Sequence, residues 1–201
     1  MTTQSRTVNF EEVEKEMRLH RMPMPADRIY MKVPDARNLL YRALEYFLAK
    51  DGTKAQWLPE YDRVAEWLTD NQGKGLFLYG NCGRGKSLLC RQVIPAILLH
   101  ACRKVVKIYD MQEMNHKLDE ALTKGIISLD DIGSEEMMIK YGERRLAFAE
   151  IMDAAEKSGK IVIVSTNLTS DQIRSQYGDR VLDRIKAITT RVLFKGDSLR
   201  K

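Results

Sequence analysis

The chain has 201 residues, 33 of them Lys or Arg and 28 Asp or Glu, which gives a formal net charge of +5 at pH 7. Hydrophobic residues make up 44% and charged residues 30%, which is ordinary for one globular domain and unlike a disordered chain. No window approaches the roughly 20 apolar residues of a membrane-spanning helix, and no secretion signal is visible, so we expect a cytoplasmic protein. The three cysteines form no CxxC pair, which favours free thiols over a disulfide framework or a zinc site.

The first third of the chain predicts a polar arm and then two helices. Residues 1–34 are polar and interrupted by prolines, which is typical of a short charged helix followed by an irregular, weakly packed arm. From Asp35, a candidate helix cap, apolar residues recur at helical spacing, and a second helix is expected to begin near Pro59. We therefore divide the chain into an N-terminal arm, 1–34, and a domain, 35–201, with a helical lead-in at 35–72.

From Gly75 onward, short apolar runs alternate with longer helical patterns. The apolar runs predict five strands at 76–79, 105–109, 126–129, 161–165 and 191–194. The segments between them predict helices at about 86–101, 111–123, 135–157 and 169–187, each long enough to return the chain to a parallel neighbour. We therefore expect an α/β fold with three αβα layers around a five-stranded parallel sheet. Pro95 should kink the first of these helices because proline has no amide hydrogen.

A glycine-rich segment follows the first predicted strand and opens the first of these helices. Residues 80–87 read GNCGRGKS, a full match to the phosphate-loop pattern GxxxxGK[ST]. Glycines let successive backbone amides turn toward phosphate oxygens, while Lys86 reaches the terminal phosphates and Ser87 offers its hydroxyl to Mg²⁺. The candidate residues for nucleotide binding are therefore Gly80, Asn81, Cys82, Gly83, Arg84, Gly85, Lys86, Ser87 and Leu88.

Polar side chains follow two later strands of the predicted sheet. Residues 126–131 read IISLDD and end in two carboxylates. Phosphoryl transfer needs an acid that holds the metal and a group that aligns the attacking water, so we assign Asp130 to Mg²⁺ and Asp131 to the base. Asn167 comes just after the fourth predicted strand and would lie beside the strand of Asp130. There it would hold the attacking water or sense the terminal phosphate, unless it only caps the following helix.

The basic surplus lies near the C-terminus, where residues 171–201 hold eight basic and four acidic side chains. Such a cluster faces either phosphate, in a nucleotide or a nucleic acid, or only solvent. Within it, Arg180 and Arg184 are four residues apart and share a helix face. A guanidinium supplied across a subunit boundary is worth about 10³ to 10⁵ in phosphoryl-transfer rate. The alternative is a pair of helix salt bridges with Asp179 and Asp183.

Five segments together resemble the AAA+ ATPases of the DnaC, DnaI and IstB group. They are GNCGRGKS at 80–87, LDDIG at 129–133, STNLT at 165–169, GDRVLDR at 178–184 and GDSLR at 196–200, so the resemblance covers the core, 75–200. It implies ATP and Mg²⁺ bound between neighbouring subunits. By the same resemblance the Walker A residues are Lys86 and Ser87, and the Walker B residues are Asp130 and Asp131. Asn167 is then sensor 1, and Arg200 is at the sensor 2 position. Arg184 is the arginine finger, and Arg180 is its box VII companion.

Members of this group act as helicase loaders in replication or as regulators of a transposase. The resemblance therefore implies a homo-oligomeric ATPase, with a replicative helicase or transposase as client and single- or double-stranded DNA as a further partner. The sequence departs from the group at three points. About 70 residues without a zinc pattern precede the core, a single helix is predicted at 111–124 where loaders carry a longer insert, and Asp131 stands where glutamate is usual.

Two other functions fit parts of the pattern. A P-loop small-molecule kinase shares the phosphate loop, but we identify no acceptor pocket and no arginine-bearing lid. A nucleotide-gated binding module that hydrolyses slowly or not at all is compatible with Asp131, because its side chain is one methylene shorter than that of glutamate. A GTPase is disfavoured because no NKxD segment occurs.

Overall fold

The apolar runs of the second half of the chain pair into one parallel sheet. In the computed structural model, residues 8–134, 138–140 and 143–199 are described. The strands in chain order are β1 (Gly75–Gly80), β2 (Lys107–Asp110), β3 (Ile126–Asp130), β4 (Met138–Lys140), β5 (Glu143–Arg145), β6 (Ile161–Thr166) and β7 (Thr189–Phe194). Five of them form the sheet in the order β2-β3-β6-β1-β7, and every pairing in it is parallel.

Helices cover both faces of this sheet. They are α1 (Phe10–Leu19), α2 (Ala36–Ala49), α3 (Pro59–Thr69), α4 (Lys86–Leu88), α5 (Ile94–Cys102), α6 (Met114–Ala121), α7 (Ala147–Ser158), α8 (Ser170–Tyr177) and α9 (Asp179–Ile188). Side chains of α2, α3 and α5 join one core, which includes Leu76 and Leu78 of β1, and those of α6 to α9 join a second core around Phe77. The predicted three-layer αβα fold with a five-stranded parallel sheet is confirmed.

The packed part of the chain begins before residue 35. No residue of α1 is buried, but Met31 and Val33 belong to the first core. The amide of Val33 donates to the carbonyl of Leu68 (3.0 Å), and the amide of Met31 donates to Oδ1 of Asn71 (2.7 Å). These long-range hydrogen bonds hold the end of the expected arm against the end of α3. The prolines and polar residues of the arm had predicted weak packing.

The helix after Asp35 forms, but the predicted cap chemistry is wrong. Asp35 occupies the position before α2 with a left-handed backbone (φ 50°), and it makes no side-chain bond to the helix amides. Its carboxylate instead accepts from Nδ2 of Asn38 (2.9 Å). In the left-handed conformation the side chain does not have the extended backbone from which capping residues usually reach the first amides.

Two predicted helices are shorter than expected. The segment 135–157 was predicted as one helix, but β4 and β5 pair antiparallel within it and α7 begins only at Ala147. Backbone pairing between these strands overrides the helical composition of the segment. The predicted helix at 169–187 is divided into α8 and α9 at Gly178, where φ is +85°, a value that helical residues do not adopt.

The helix that follows the glycine-rich segment is distorted where Pro95 was expected to disturb it. Lys86 to Cys102 form one helical segment in which residues Leu89–Val93 are a π-helix. The amide of Ile94 donates to the carbonyl of Leu89, five residues back. Because Pro95 has no amide hydrogen, an ordinary i to i−4 ladder cannot continue through this turn.

The described part of the chain contains no helix with the length and apolar content that a membrane crossing requires.

Candidate functional site

The site is assembled where three neighbouring strands end. In a parallel sheet all carboxyl ends lie at the same edge, and β6 lies between β1 and β3. The glycine-rich segment follows β1, Asn167 follows β6, and Asp130 and Asp131 stand at the end of β3. Strand order therefore places Asn167 between the loop and the two carboxylates, at the edge where ligands bind open α/β sheets.

The loop conformation depends on its glycines. Gly80, Gly83 and Gly85 have φ of 117°, 72° and 86°, which is the region that side-chain-bearing residues rarely adopt. At Gly80 a Cβ atom would also lie 2.2 Å from the carbonyl oxygen of Phe194 on β7. The loop therefore turns sharply back over the sheet edge, and its last residues start a helix whose first amides have no partner within the helix.

Lys86 is buried in the loop, with 6% of its surface exposed. Its ammonium donates to the carbonyl oxygens of Gly80 (2.9 Å) and Asn81 (2.7 Å) and to Oδ1 of Asn167 (2.9 Å). Burial lowers the pKa of Lys86, and nearby negative groups partly oppose this shift. The three acceptors hold a cationic group at the centre of the loop, where the sequence placed the lysine that contacts phosphates.

Asn167 joins Lys86 to Asp131. While its Oδ1 accepts from Lys86, its Nδ2 donates to Oδ1 of Asp131 (3.1 Å). The backbone of Asp131 is left-handed (φ 59°) and its amide donates to Oγ of Ser165 (3.0 Å). Burial and then the charge of Asp130 raise the pKa of Asp131. The capping alternative for Asn167 is not observed, because Thr169 provides the capping box of α8.

Asp130 is buried (5% exposed) and is held from two sides. Oγ of Ser165 donates to its Oδ1, and Nη1 of Arg91 donates to its Oδ2 (3.3 Å). Arg91 also donates to Oδ2 of Asp110 (3.1 Å), which ends β2 in register with Asp130. Sequence reasoning missed Arg91, Asp110 and Ser165. For these three residues, the one signal in the sequence was that Asp110 stands at the end of a predicted strand, as Asp130 does.

Arg84 and the segment after β7 hold the loop from outside. Nη2 of Arg84 donates to Oε1 of Glu60 on α3 (2.8 Å), and this oxygen also accepts from the amide of Lys195 (3.1 Å). Nδ2 of Asn81 donates to the carbonyl of Gly196 (2.9 Å), and the amide of Leu199 donates to the carbonyl of Gly83 (3.0 Å). The side chain of Arg84 is thus paired inside the protein, although the sequence placed it among the phosphate ligands.

The remaining loop residues differ in exposure. Cys82 is exposed, whereas Ser87 and Leu88 are half-buried at the start of the helical segment. A cavity of about 530 Å³ opens beside the loop. Its walls are formed by the end of β1, the loop, Leu193 and the residues that follow β6; the last group comprises Asn167, Leu168, Thr169 and Ser170.

The two arginines predicted to act across a subunit boundary lie in different environments. Arg184 is buried, with 9% of its side chain exposed: its Nε donates to Glu156 (2.7 Å) and its Nη2 to Asp153, both on α7. The side chain of Arg180 is 79% exposed and lies 3.7 Å from the same Asp153 carboxylate. Of the two guanidinium groups, that of Arg184 is thus paired with carboxylates of its own chain and that of Arg180 is exposed, and the finger role stays a prediction. Arg200 lies outside the described residues.

The donor set fits a magnesium nucleotide. No cluster of three or more His, Cys, Asp or Glu suited to a metal occurs in the part of the chain that the structure describes. Mg²⁺ at a phosphate site needs only one or two carboxylates, because water and phosphate oxygens supply the other positions. Asp130 and the hydroxyl of Ser87 would provide such ligands, and the loop amides with Lys86 would provide the complement to phosphate.

The fold and the glycine-rich loop define a P-loop NTPase. Residues 58–194 match the family described as novel STAND NTPase 3, and the chain belongs to that family. The solved structures that share the fold include the following two. The DnaC helicase loader matches with a TM-score of 0.52 and 19% identity, covering 82% of this chain and 93% of that chain. DnaI matches with a TM-score of 0.51 and 21% identity, covering 83% of this chain and 86% of that one. No curated protein sequence matches the chain significantly.

Proposed function

We propose that this protein binds ATP with Mg²⁺ at the edge formed by β1, β6 and β3 and hydrolyses it there. The observation that carries the proposal is the hydrogen-bonded series Lys86–Asn167–Asp131, with Asp130 beside it. A phosphate-contacting cation, a polar amide and two carboxylates are thereby brought together from three separate strand ends. Phosphoryl transfer depends on this kind of positioning and charge stabilisation rather than on covalent chemistry.

Each residue has a separate role in this proposal. Lys86 and the loop amides bind the terminal phosphates, and Asp130 with Ser87 holds the metal. Bound Mg²⁺ supplies charge neutralisation on the phosphate oxygens. Asp131 accepts the proton of the attacking water, and its raised pKa makes it a stronger base than an ordinary aspartate. Asn167 orients Asp131 through the hydrogen bond that the two side chains already share.

The wider role that we propose is that of an oligomeric cytoplasmic ATPase acting on DNA or a DNA-bound client in replication or transposition. Its support is the resemblance of the five sequence segments to the DnaC, DnaI and IstB group. Arg180, rather than Arg184, would reach the nucleotide of a neighbouring subunit, because its guanidinium is the exposed one of the pair.

A slowly hydrolysing, nucleotide-gated module is the second candidate. The observation that favours it is the left-handed backbone of Asp131, whose carboxylate already accepts from Asn167. A carboxylate held in this way accepts a proton from water only if water replaces the Asn167 amide at Oδ1 of Asp131. The two candidates differ in turnover and share nucleotide binding.

Nucleotide binding is tested by replacing Lys86. Lys86→Ala should weaken binding of a fluorescent ATP analogue with Mg²⁺ at least tenfold, because it removes the buried cation of the loop. Lys104→Ala, an exposed lysine after α5, is the matched control and should bind like the parent protein. Equal affinity of Lys86→Ala and the parent would contradict the proposal. Phosphate release by the parent protein then separates the two candidates: multiple turnovers support the ATPase, and binding without release supports the module.

A further inference from the structure

A second depression, of about 450 Å³, lies at the β7 edge of the sheet. We call it the basic groove. Its walls come from α3, the turn before β1, the end of α9 and the start of β7. Four cationic side chains line it, and the described residues that line it include no carboxylate: Arg63, Lys74, Lys186 and Arg191.

The charge of the groove is largely uncompensated. Arg63 pairs with Glu66 on its own helix (3.3 Å). Over residues 8–134, 138–140 and 143–199, no ion pair joins Lys74, Lys186 or Arg191 to a carboxylate. All three side chains are exposed. Like charges held on one surface without acidic partners repel one another, and a bound polyanion removes this repulsion while releasing its own counterions.

The other lining side chains define the kind of anion. They are Gln72, Thr190 and Tyr79, together with Thr189, which is buried and donates its hydroxyl to the carbonyl of Ile185. Together with Lys and Arg, these residue types are the ones that contact phosphate and sugar oxygens in protein–DNA interfaces. The lining includes one aromatic ring and no aliphatic side chain, whereas the core of a protein–protein interface is apolar. The composition therefore favours a phosphate backbone over an acidic protein segment.

The groove is also connected to the nucleotide site through a shared side chain. Tyr79, the residue before Gly80, lines both the basic groove and the cavity beside the loop. Its ring is half-buried and packs against Phe77 in the middle of β1, with 6.0 Å between ring centroids. A ligand in either cavity therefore contacts the strand that carries the glycine-rich loop.

We propose that the basic groove binds the sugar-phosphate backbone of a nucleic acid without reading its sequence. The proposal rests on the proposed function only in taking DNA as the polymer. A phosphate spacing of a few ångströms along each strand would allow several of the four cations to be used at once. The groove therefore identifies the nucleic-acid contact surface of this protein as the β7 edge.

The test compares two triple variants of equal charge. The first is Lys74→Gln, Lys186→Gln and Arg191→Gln in the groove; the second is Arg42→Gln, Lys54→Gln and Lys104→Gln on exposed sites elsewhere. Binding of labelled single- and double-stranded DNA of mixed sequence is followed by fluorescence anisotropy from 50 to 200 mM salt with ATP present. The groove variant should lose at least tenfold in affinity at 100 mM salt, and its slope of log K against log salt should decrease by about 2 to 3.

The control variant and two further measurements make the result decisive. The control should retain the parent slope, because its charges lie outside the groove. The proposal is overturned if both triple variants lose affinity equally, if neither loses affinity, or if the parent protein does not bind DNA. It is also overturned if a polyglutamate peptide at the same charge concentration competes equally well. Binding of the ATP analogue should be unchanged in the groove variant. Loss of DNA binding at the groove and loss of nucleotide binding at the loop are thus measured in separate assays.

Discussion

At the residue scale, the side chains at the candidate site are held by one another. Asn167 accepts from Lys86 with its side-chain oxygen and donates to Asp131 with its side-chain nitrogen. The hydroxyl of Ser165 donates to the Asp130 carboxylate and accepts from the Asp131 amide. Asp130 and Asp131 follow each other in the chain here, and Asp131 is also partly buried. Burial raises the pKa of Asp131, and the neighbouring charge of Asp130 raises it further.

The raised pKa of Asp131 makes a prediction about stability and pH. A carboxyl whose pKa is higher in the folded than in the unfolded state favours folding while it is protonated and disfavours folding once it is ionised. Asp131→Asn should therefore raise Tm by a few degrees at pH 7, and this gain should shrink as the pH falls through the raised pKa toward the ordinary aspartate range. Thermal unfolding followed by circular dichroism at pH 7 and pH 4 measures both values.

The control for this measurement is Asp51→Asn, on an exposed carboxylate after α2. It should leave Tm unchanged at either pH. A Tm gain for Asp131→Asn that is as large at pH 4 as at pH 7 would contradict an electrostatic origin, since protonation removes the charge that the substitution removes.

At the element scale, the distorted helix after the loop connects the phosphate loop to the strand of the carboxylates. The carbonyl of Cys90 lies in the π-helix, and the residue whose amide would donate to it, five positions on, is Pro95, which has no amide hydrogen. Oγ of Ser128 on β3 donates to this carbonyl instead (2.9 Å), and both residues are fully buried. One residue further, Arg91 contacts Asp110 and Asp130.

This arrangement predicts coupling between Ser128 and Pro95. Ser128→Ala leaves a buried carbonyl without its partner and should cost about 1 to 3 kcal/mol of unfolding free energy. In the Pro95→Ala background the new amide at position 95 can donate to the carbonyl of Cys90, so the same substitution should cost less. Urea unfolding of the parent, the two single variants and the double variant gives the interaction free energy, expected at about 0.5 to 1.5 kcal/mol.

Thr123→Ala is the matched control for the loss of a hydroxyl. Its Oγ1 also donates to a backbone carbonyl, that of Glu120 (2.7 Å), but on an exposed turn. The change should stay within about 0.5 kcal/mol. If Ser128→Ala costs the same with proline and with alanine at position 95, the carbonyl of Cys90 does not use the new amide and the explanation of the π-helix is wrong.

At the scale of the whole molecule, the candidate nucleotide site is bounded on one side by the segment after β7 and is open on another side. The segment after β7 closes over the loop from Lys195 to Leu199, while the neighbouring cavity remains accessible. Arg184 joins α9 to α7 through Asp153 and Glu156, which gives it a structural role within the subunit. Arg180 on the same helix is exposed and available to a second copy.

Two substitutions separate these roles. Arg180→Ala should leave Tm unchanged and ATP binding intact but abolish turnover, because in the proposed oligomer it removes only the guanidinium that would reach the neighbouring nucleotide. Mixing it with Lys86→Ala protein should restore part of the activity, since composite sites then combine an intact loop with an intact Arg180. Arg184→Ala should lower Tm by about 3 to 8 °C, because Glu156 loses its partner and α9 loses its buried link to Asp153, which keeps Lys157.

The measurements are phosphate release as a function of protein concentration and thermal unfolding. Arg184→Lys keeps the charge and should recover part of the lost stability. Full turnover by Arg180→Ala, together with loss of turnover in a stably folded Arg184→Lys, would return the finger role to Arg184. Turnover that stays proportional to monomer concentration would remove the subunit boundary from the mechanism.

The sequence by itself determined the layers, the strand positions and the loop. The five strands of the sheet begin and end within about two residues of the apolar runs that predicted them. For the central strands β1, β3 and β6 the reason is that strands buried on both faces must be continuously apolar. The GNCGRGKS segment likewise identified the glycines that adopt positive φ, because the backbone there excludes side chains. The nucleotide roles of the site residues stay predictions, to be decided by the binding experiments.

Only the tertiary structure decided which polar side chains meet. Arg184 and Arg180 look equivalent in the sequence, yet one is buried against α7 and the other is exposed. Arg91 reaches Asp130 across 39 residues, and the cations of the basic groove come from segments as distant as α3 and β7. Local patterns report burial and backbone conformation, because these depend on neighbours along the chain. Pairing between distant polar groups depends on how the layers pack, and sequence periodicity does not carry that information.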